Sequence, residues 1–337
     1  MADQRISFGL HPLLHGGFPD DDRSGALRRV VEIADEGGVD YLWVEDHTRL
    51  PPLEIHASEG DAGVDEPLEA WTTLAYLAGI TRSLSLGTEV TPLTLRHPAL
   101  LAKTVATLDQ LCGGRVILGA GAGWFKDEFE SLGIPFEKRD NRFRKVTEAL
   151  EVIQALWREP SVDYDGEFYQ LKDAVCAPKP LQGADLPIWF GGFSDRLFQL
   201  LLRFGTGWIL GTHPAPEFVA ERWQRLREMA DEQAVDVSDM PVMVPLIAHV
   251  SRDRDRAAAS LNGYVDRGNF DEWLGSFFGE NTRKYAVWGT PEDAVRKLEP
   301  YIEVGVRHFV LDLRPPSIME ETAELLVSEV FPKLQEG

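Results

Sequence analysis

SLGTEVTPLTLRHPALLAKTVATLDQLCGGRVILGAGAGWFKDEFESLG, residues 85–133, reads as strand, loop, helix, strand, glycine-rich turn and helix. Val, Leu and Ile fill both strands without strict alternation, the pattern of strands buried on both faces. The helix between them carries Leu101, Val105, Leu108 and Cys112 at steps of four, three and four, so one face is apolar. Two parallel strands joined by a helix form a βαβ unit. Such units bind ligands at the carboxyl ends of their strands. Here both strands end in glycines or small polar residues.

The pattern recurs on both sides of this stretch. Spacing predicts strands at 5–10, 39–44, 85–90, 115–119, 187–190, 206–210, 242–250 and 307–311. Further helices are expected at 24–36, 67–79, 138–158, 194–204 and 217–232. One more precedes the last strand, with Thr290 as N-cap, Pro291 at its first position and Gly305 at its end. Eight strands alternating with helices predict an α/β fold, a closed (β/α)8 TIM barrel. A doubly wound sheet is the alternative, but it calls for G-x-G-x-x-G after the first strand, and FGLHPLLHGG does not supply it. Two insertions depart from the repeat. VDYDGEFYQL, between strands four and five, signals a hairpin around Asp165-Gly166. Residues 252–286, between strands seven and eight, form a long helical insertion with Tyr264, Phe270, Trp273, Phe277 and Phe278. Insertions of this kind serve as lids or subunit contacts. A single domain over residues 1–337 is expected.

Bulk properties narrow the function. The chain has 337 residues, 44% of them hydrophobic, which suits one elaborated barrel of roughly 250 residues plus insertions. A net charge of −21 disfavours nucleic acid and anionic membranes. Cys112 and Cys176 provide neither a disulfide framework nor zinc spacing. MADQRISFGL lacks the basic-then-apolar pattern of a secretory signal, and no stretch approaches a membrane span. A cytoplasmic protein acting on a small molecule is the expectation.

Four strand ends carry the candidate chemistry. Asp46 and His47 follow the apolar run YLWVE directly and read either as a pocket-facing pair or as a local loop pair. In GTEVTPL, residues 87–93, Gly87 suggests close approach or a bulge and Pro92 ends the ladder. Glu89 there is either an acid near the pocket or a rim carboxylate paired with an arginine such as Arg96. In GAGAGW, residues 119–124, Gly119, Gly121 and Gly123 admit a flat ligand, or serve tight strand-to-helix packing. In FGGFSD, residues 190–195, Ser194 opens a helix whose N–H groups and dipole favour an anion, or simply caps it. The eight histidines show no metal-site spacing; His97 and His213 precede prolines at helix starts and read as capping or packing residues. No G-x-S-x-G elbow is present.

The run LGTEVTPLTLRHPALLAKTVATLDQLCGGRVILGAGAGWFKDEFESLGIPFEKR closely resembles the bacterial luciferase-like superfamily, and within it the coenzyme F420-dependent oxidoreductases. WVEDH, PIWFGG and WGTPEDAVRKLEPYIEVGVRHFVLDL extend the resemblance over nearly the whole chain. It implies hydride transfer at C5 of a deazaflavin, with FMN-dependent monooxygenation as the alternative on the same scaffold and cofactor binding without turnover as a third reading. It implies that Asp46 and His47 lie near the deazaflavin headgroup, His47 being the candidate proton donor or acceptor. It implies a non-proline cis peptide within Thr88-Glu89-Val90, backing the ring, with Gly119, Gly121 and Gly123 beside it. Gly191, Gly192, Phe193 and Ser194 match the phosphate-binding turn. Arg49, Arg96, Lys126 and Arg314 are candidate cations near the barrel top. Trp124 stands where the family's sugar-phosphate dehydrogenases carry a catalytic Glu, which argues against glucose-6-phosphate as substrate. The resemblance also implies a homodimer.

Overall fold

Eight parallel strands close on themselves. The computed structural model describes residues 5–15, 18, 22–50, 67–211, 213–267 and 276–335. Its strands are β1 Ser7–Pro12, β2 Tyr41–Val44, β3 Ser85–Thr88, β4 Thr91–Pro92, β5 Val116–Gly121, β6 Val162–Asp165, β7 Gln170–Ala174, β8 Ile188–Gly191, β9 Gly207–Ile209, β10 Val242–Val250, β11 Val287–Gly289 and β12 His308–Leu313. The ring runs β1-β2-β3-β5-β8-β9-β10-β12 and returns to β1, every pair parallel. Helices α1 Arg23–Glu36, α2 Ala70–Ala78, α3 Pro98–Cys112, α4 Lys126–Ser131, α5 Arg139–Arg158, α6 Asp195–Phe204, α7 Pro216–Glu232 and α8 Arg254–Arg267 lie along the chain between the strands. This is the predicted TIM barrel.

Strand parity sorts the side chains into two cores. Phe309, Leu311 and Leu313 of β12 belong to the outer core, which also holds helix residues such as Leu101, Val105 and Leu108 of α3. Trp43, Ile117, Trp189, Ile209, Met243 and Val310 fill the barrel itself. The two tryptophans stand 5.4 Å apart, centroid to centroid. They fit because the facing strands are bare: a Cβ on Gly87 would meet Trp43 at 2.5 Å, and one on Gly207 would meet Trp189 at 2.6 Å. Gly87 is thus explained by close approach. Each large apolar side chain of this plug contributes roughly 1.5–3 kcal/mol by leaving water.

Several expected boundaries move. The third strand stops at Thr88, because the chain bulges there, and pairing resumes as β4, where Thr91 and Pro92 pair with Ala120 and Gly121. Pro92 ends this ladder as expected, having no N–H to donate. The insertion between β5 and β8 is an antiparallel hairpin, but its turn is residues 166–169 rather than Asp165-Gly166. The Glu148 carboxylate holds that longer turn by accepting the N–H groups of Glu167, Phe168 and Tyr169. The insertion after β10 holds α8, a helix at Ser276–Tyr285 and the unexpected strand β11, which pairs with the end of β10. Tyr264 is buried there. Phe270 and Trp273 lie outside the described residues, as do the side chains of Phe277 and Phe278. The helix after Thr290 carries the expected cap, a capping box closed by Asp293. Among the described residues no helix is long and apolar enough to cross a membrane.

Candidate active site

The polar residues of the barrel gather at the carboxyl ends of its strands. After β3 the chain crosses a cis peptide between Glu89 and Val90, within the segment where the sequence places one. Val90 lies against the glycines of the neighbouring strands. A Cβ on Gly121 would meet Val90 Cγ2 at 2.5 Å, one on Gly191 would meet Val90 Cγ1 at 2.7 Å, and one on Gly119 would overlap the Thr88 carbonyl. These glycines admit the bulge itself, and Val90 remains half-buried at the barrel mouth. Gly123 has a positive φ of 77° and lies against Phe129.

Asp46 and His47 diverge. Asp46 is buried in the barrel wall, where Arg96 donates to both of its oxygens at 2.7 Å and Thr91 donates a third bond at 2.7 Å. Arg96 also reaches Glu69. The suggested Arg96–Glu89 pair therefore does not form: Arg96 is engaged by Asp46, and Glu89 turns into the barrel. His47 points the other way and stays 15% exposed, with Nδ1 3.1 Å from Glu128 Oε2. Glu128 also accepts the Thr48 N–H at 2.6 Å and is itself buried. Burial works to raise its pKa, but the His47 bond and the backbone N–H groups hold it below the ordinary value. The carboxylate is thus ionised, and His47 donates from Nδ1. Trp124 stands edge-on to His47 at 5.8 Å.

Ser194 caps α6 by accepting the Leu197 N–H, as predicted. Gly192, at φ 125°, occupies backbone space that side chains avoid. Phe193, the next residue, is exposed and stands edge-on to Phe218 of α7. The cations beside this turn are not those expected. Asp195, in the first turn of α6, binds both Arg222 and Arg225 of α7. Of the four anticipated cations, Arg96 is committed to Asp46, Arg314 to Glu45 and Asp312, and Lys126 to Glu130 in the next turn of its helix. Arg49 donates its backbone N–H to Glu128.

Beneath the bulge lies a cluster of which sequence reading singled out only Glu89 and Arg314. His11 of β1 and Asp312 of β12 are ladder partners, with Nδ1 2.6 Å from Oδ1. Glu89 Oε2 is 3.4 Å from the same nitrogen. Glu45 joins His15, at 2.9 Å, to Arg314, at 3.3 Å. Burial alone would lower the His11 pKa, yet the neighbouring Asp312 and Glu89 lift it to about 10. Burial opposes ionisation of Asp312, but Arg314 and His11 bring it to about 2. Glu89 is raised, chiefly by burial. His213 and His249 are driven the other way, to about 4 and about 3, because burial is their main influence. His213 thus packs in the barrel rather than capping a helix, whereas His97 does cap α3. The only sequence signal for the cluster is parity: 308, 310 and 312 alternate inward, and an inward acid at a strand end needs a partner.

A barrel with its charged side chains collected at one mouth has the architecture of an enzyme. The chain belongs to the luciferase-like monooxygenase family, whose model matches residues 10–308, and it is an oxidoreductase of that class. It is similar to a 5,10-methylenetetrahydromethanopterin reductase of Archaeoglobus fulgidus, 26% identical over 94% of this chain and 98% of the other. It is 25% identical to an F420-dependent glucose-6-phosphate dehydrogenase of Amycolatopsis mediterranei, over 96% of this chain and 99% of that one. A solved F420-dependent secondary alcohol dehydrogenase, in complex with an F420-acetone adduct, has the same fold: TM-score 0.81, 21% identity, 98% and 99% coverage.

Proposed function

We propose that this chain is an F420-dependent oxidoreductase that moves a hydride between the deazaflavin C5 and a small organic substrate. The observation that carries the reading is the Glu89–Val90 bulge, seated among Gly119, Gly121 and Gly191 with His47 at the same mouth. The residues present fit a flat heterocycle: Val90 offers an apolar surface, and the start of α6 offers backbone N–H groups to an anionic tail. Full-length similarity to an F420-dependent dehydrogenase supports the choice of cofactor. When bound, that cofactor supplies or accepts the hydride.

The chain's residues supply the rest. Glu128 fixes the His47 ring through Nδ1, which leaves Nε2 to exchange the accompanying proton with substrate. Trp124 limits the tilt of that ring and makes the neighbourhood of His47 apolar. Such a site favours a planar or apolar substrate over a sugar phosphate. Gly192 and the residues up to Ser194 receive the phosphate, within reach of the field of Arg222 and Arg225.

The family's description as monooxygenases favours a second reading, FMN-dependent monooxygenation with flavin from a separate reductase. Titrating the purified protein with F420 and with FMN separates the two. Tighter binding of F420, followed by oxidation of reduced F420 in a screen of enones and quinones, is the expected result. Tighter FMN binding would move the chain to the second reading. Binding of F420 with no turnover across the screen would leave a non-catalytic barrel.

The chain is further proposed to work as a homodimer. Leu100 and Leu111 on α3, with Val175 and Leu181 beside them, are more than half exposed. A face this apolar suits a second copy. Light scattering should give twice the mass of one chain, and Leu111→Glu should halve it.

A further inference from the structure

The carboxylates beside His11 lie at its Nδ1, Asp312 at 2.6 Å and Glu89 at 3.4 Å, and the side chain is 3% exposed. Neither ring nitrogen has a hydrogen bond of good geometry among the described residues; Nδ1 has the two carboxylates beside it, whereas Nε2 has no hydrogen-bond partner. A buried donor without an acceptor is costly, and such groups are normally satisfied by protein, water or ligand. The position is informative. Glu89 and Val90 share one peptide, so whatever rests on Val90 lies one residue from the group that His11 contacts. His11 also stands on the inward parity of β1, at the level of Asp312.

We propose that His11 is a cofactor-binding residue whose Nε2 donates to the pyrimidinedione edge of the heterocycle on Val90, and whose charge favours the reduced form of that heterocycle. The proposal rests on the F420 reading above. Hydride addition at C5, from the substrate, leaves negative charge on the pyrimidinedione edge of a deazaflavin, so a cation there stabilises the reduced state more than the oxidised one. The surroundings keep His11 charged. Asp312 is its ladder partner, Glu89 faces it from the bulge, and Arg314 and Glu45 balance each other on the far side of Asp312. The Asp312 and Glu89 carboxylates outweigh burial and lift the His11 pKa to about 10, so it stays protonated at neutral pH.

The test compares the dissociation constants of oxidised and reduced F420 for the wild type, His11→Gln and His11→Lys. Loss of the charge in His11→Gln should weaken the reduced form roughly tenfold more than the oxidised form. That ratio corresponds to a fall in midpoint potential of about 30 mV for a two-electron couple. His11→Lys should stay near the wild-type ratio. Equal weakening of both forms in His11→Gln, or no weakening, would overturn the proposal. Ring-¹⁵N histidine spectra of the wild type give a second measurement that does not depend on either variant folding. The His11 Nε2 resonance should move on addition of F420, and a stationary resonance in the saturated complex would also overturn the assignment. A wild type that binds neither F420 nor FMN removes the cofactor reading itself; binding with unchanged ratios removes only the role of His11.

Discussion

Two histidine–carboxylate pairs stand at different depths of one barrel. His47–Glu128 lies at the rim and His11–Asp312 on the floor, with similar separations of 3.1 and 2.6 Å. Access distinguishes them. His47 is 15% exposed beside Trp124, whereas His11 is 3% exposed and Asp312 about as little. In the proposed function the rim pair exchanges a proton with a bound molecule. The floor pair is locked by ladder register and holds a fixed charge. On the proposed function, the same chemistry yields a proton carrier at the exposed rim and a fixed charge on the buried floor.

The sharpest way to break the comparison is to remove the rim imidazole. His47→Asn should lower turnover by roughly 10²–10⁴-fold with little change in cofactor affinity, read from steady-state kinetics beside a fluorescence titration. Native turnover would take His47 out of the mechanism and leave the rim pair as structural as the floor pair. Next in size is the bulge that separates the two. Gly191→Ala places a Cβ 2.7 Å from Val90 Cγ1 and should displace it, weakening F420 binding by roughly ten- to a hundredfold. Unchanged affinity would detach Val90 from the cofactor site.

The pH dependence of stability sharpens the comparison further. His11 is raised to about 10 in the fold, above its ordinary 6.5. Its stabilisation is therefore complete below pH 6.5 and is lost as pH climbs through about 10. In urea melts, the stability gap between wild type and His11→Gln should shrink steadily over that interval. His249, brought to about 3 by burial and by His213, contributes with the opposite sign: stability falls as pH drops from 6.5 towards 3. A gap that widens with rising pH would contradict a protonated His11. The smallest expected effect is Lys126→Ala, which breaks only an exposed pair with Glu130. It should change stability by less than about 0.5 kcal/mol and leave turnover unchanged. A clear loss of cofactor affinity would restore Lys126 as an anion-binding residue.

Sequence alone pointed to the barrel, because eight apolar strands buried on both faces alternate with amphipathic helices and the first strand lacks the glycine turn that a doubly wound sheet calls for. It also marked the strand ends at Asp46-His47, Thr88–Val90, Gly119–Gly123 and Gly191–Ser194, since glycines and polar residues interrupt apolar runs there. Tertiary structure alone decided what those residues face. Asp46 and His47 are neighbours in the chain, yet one is clamped by Arg96, fifty residues on, and the other by Glu128, eighty-one residues on. Gly121 and Gly191 are bare because Val90, from the bulge after β3, lies against both. His11 and Asp312 meet only when the last strand closes against the first. Local propensity records which faces are apolar. It carries no trace of which charges will share a buried space, because that depends on how the ring of strands closes.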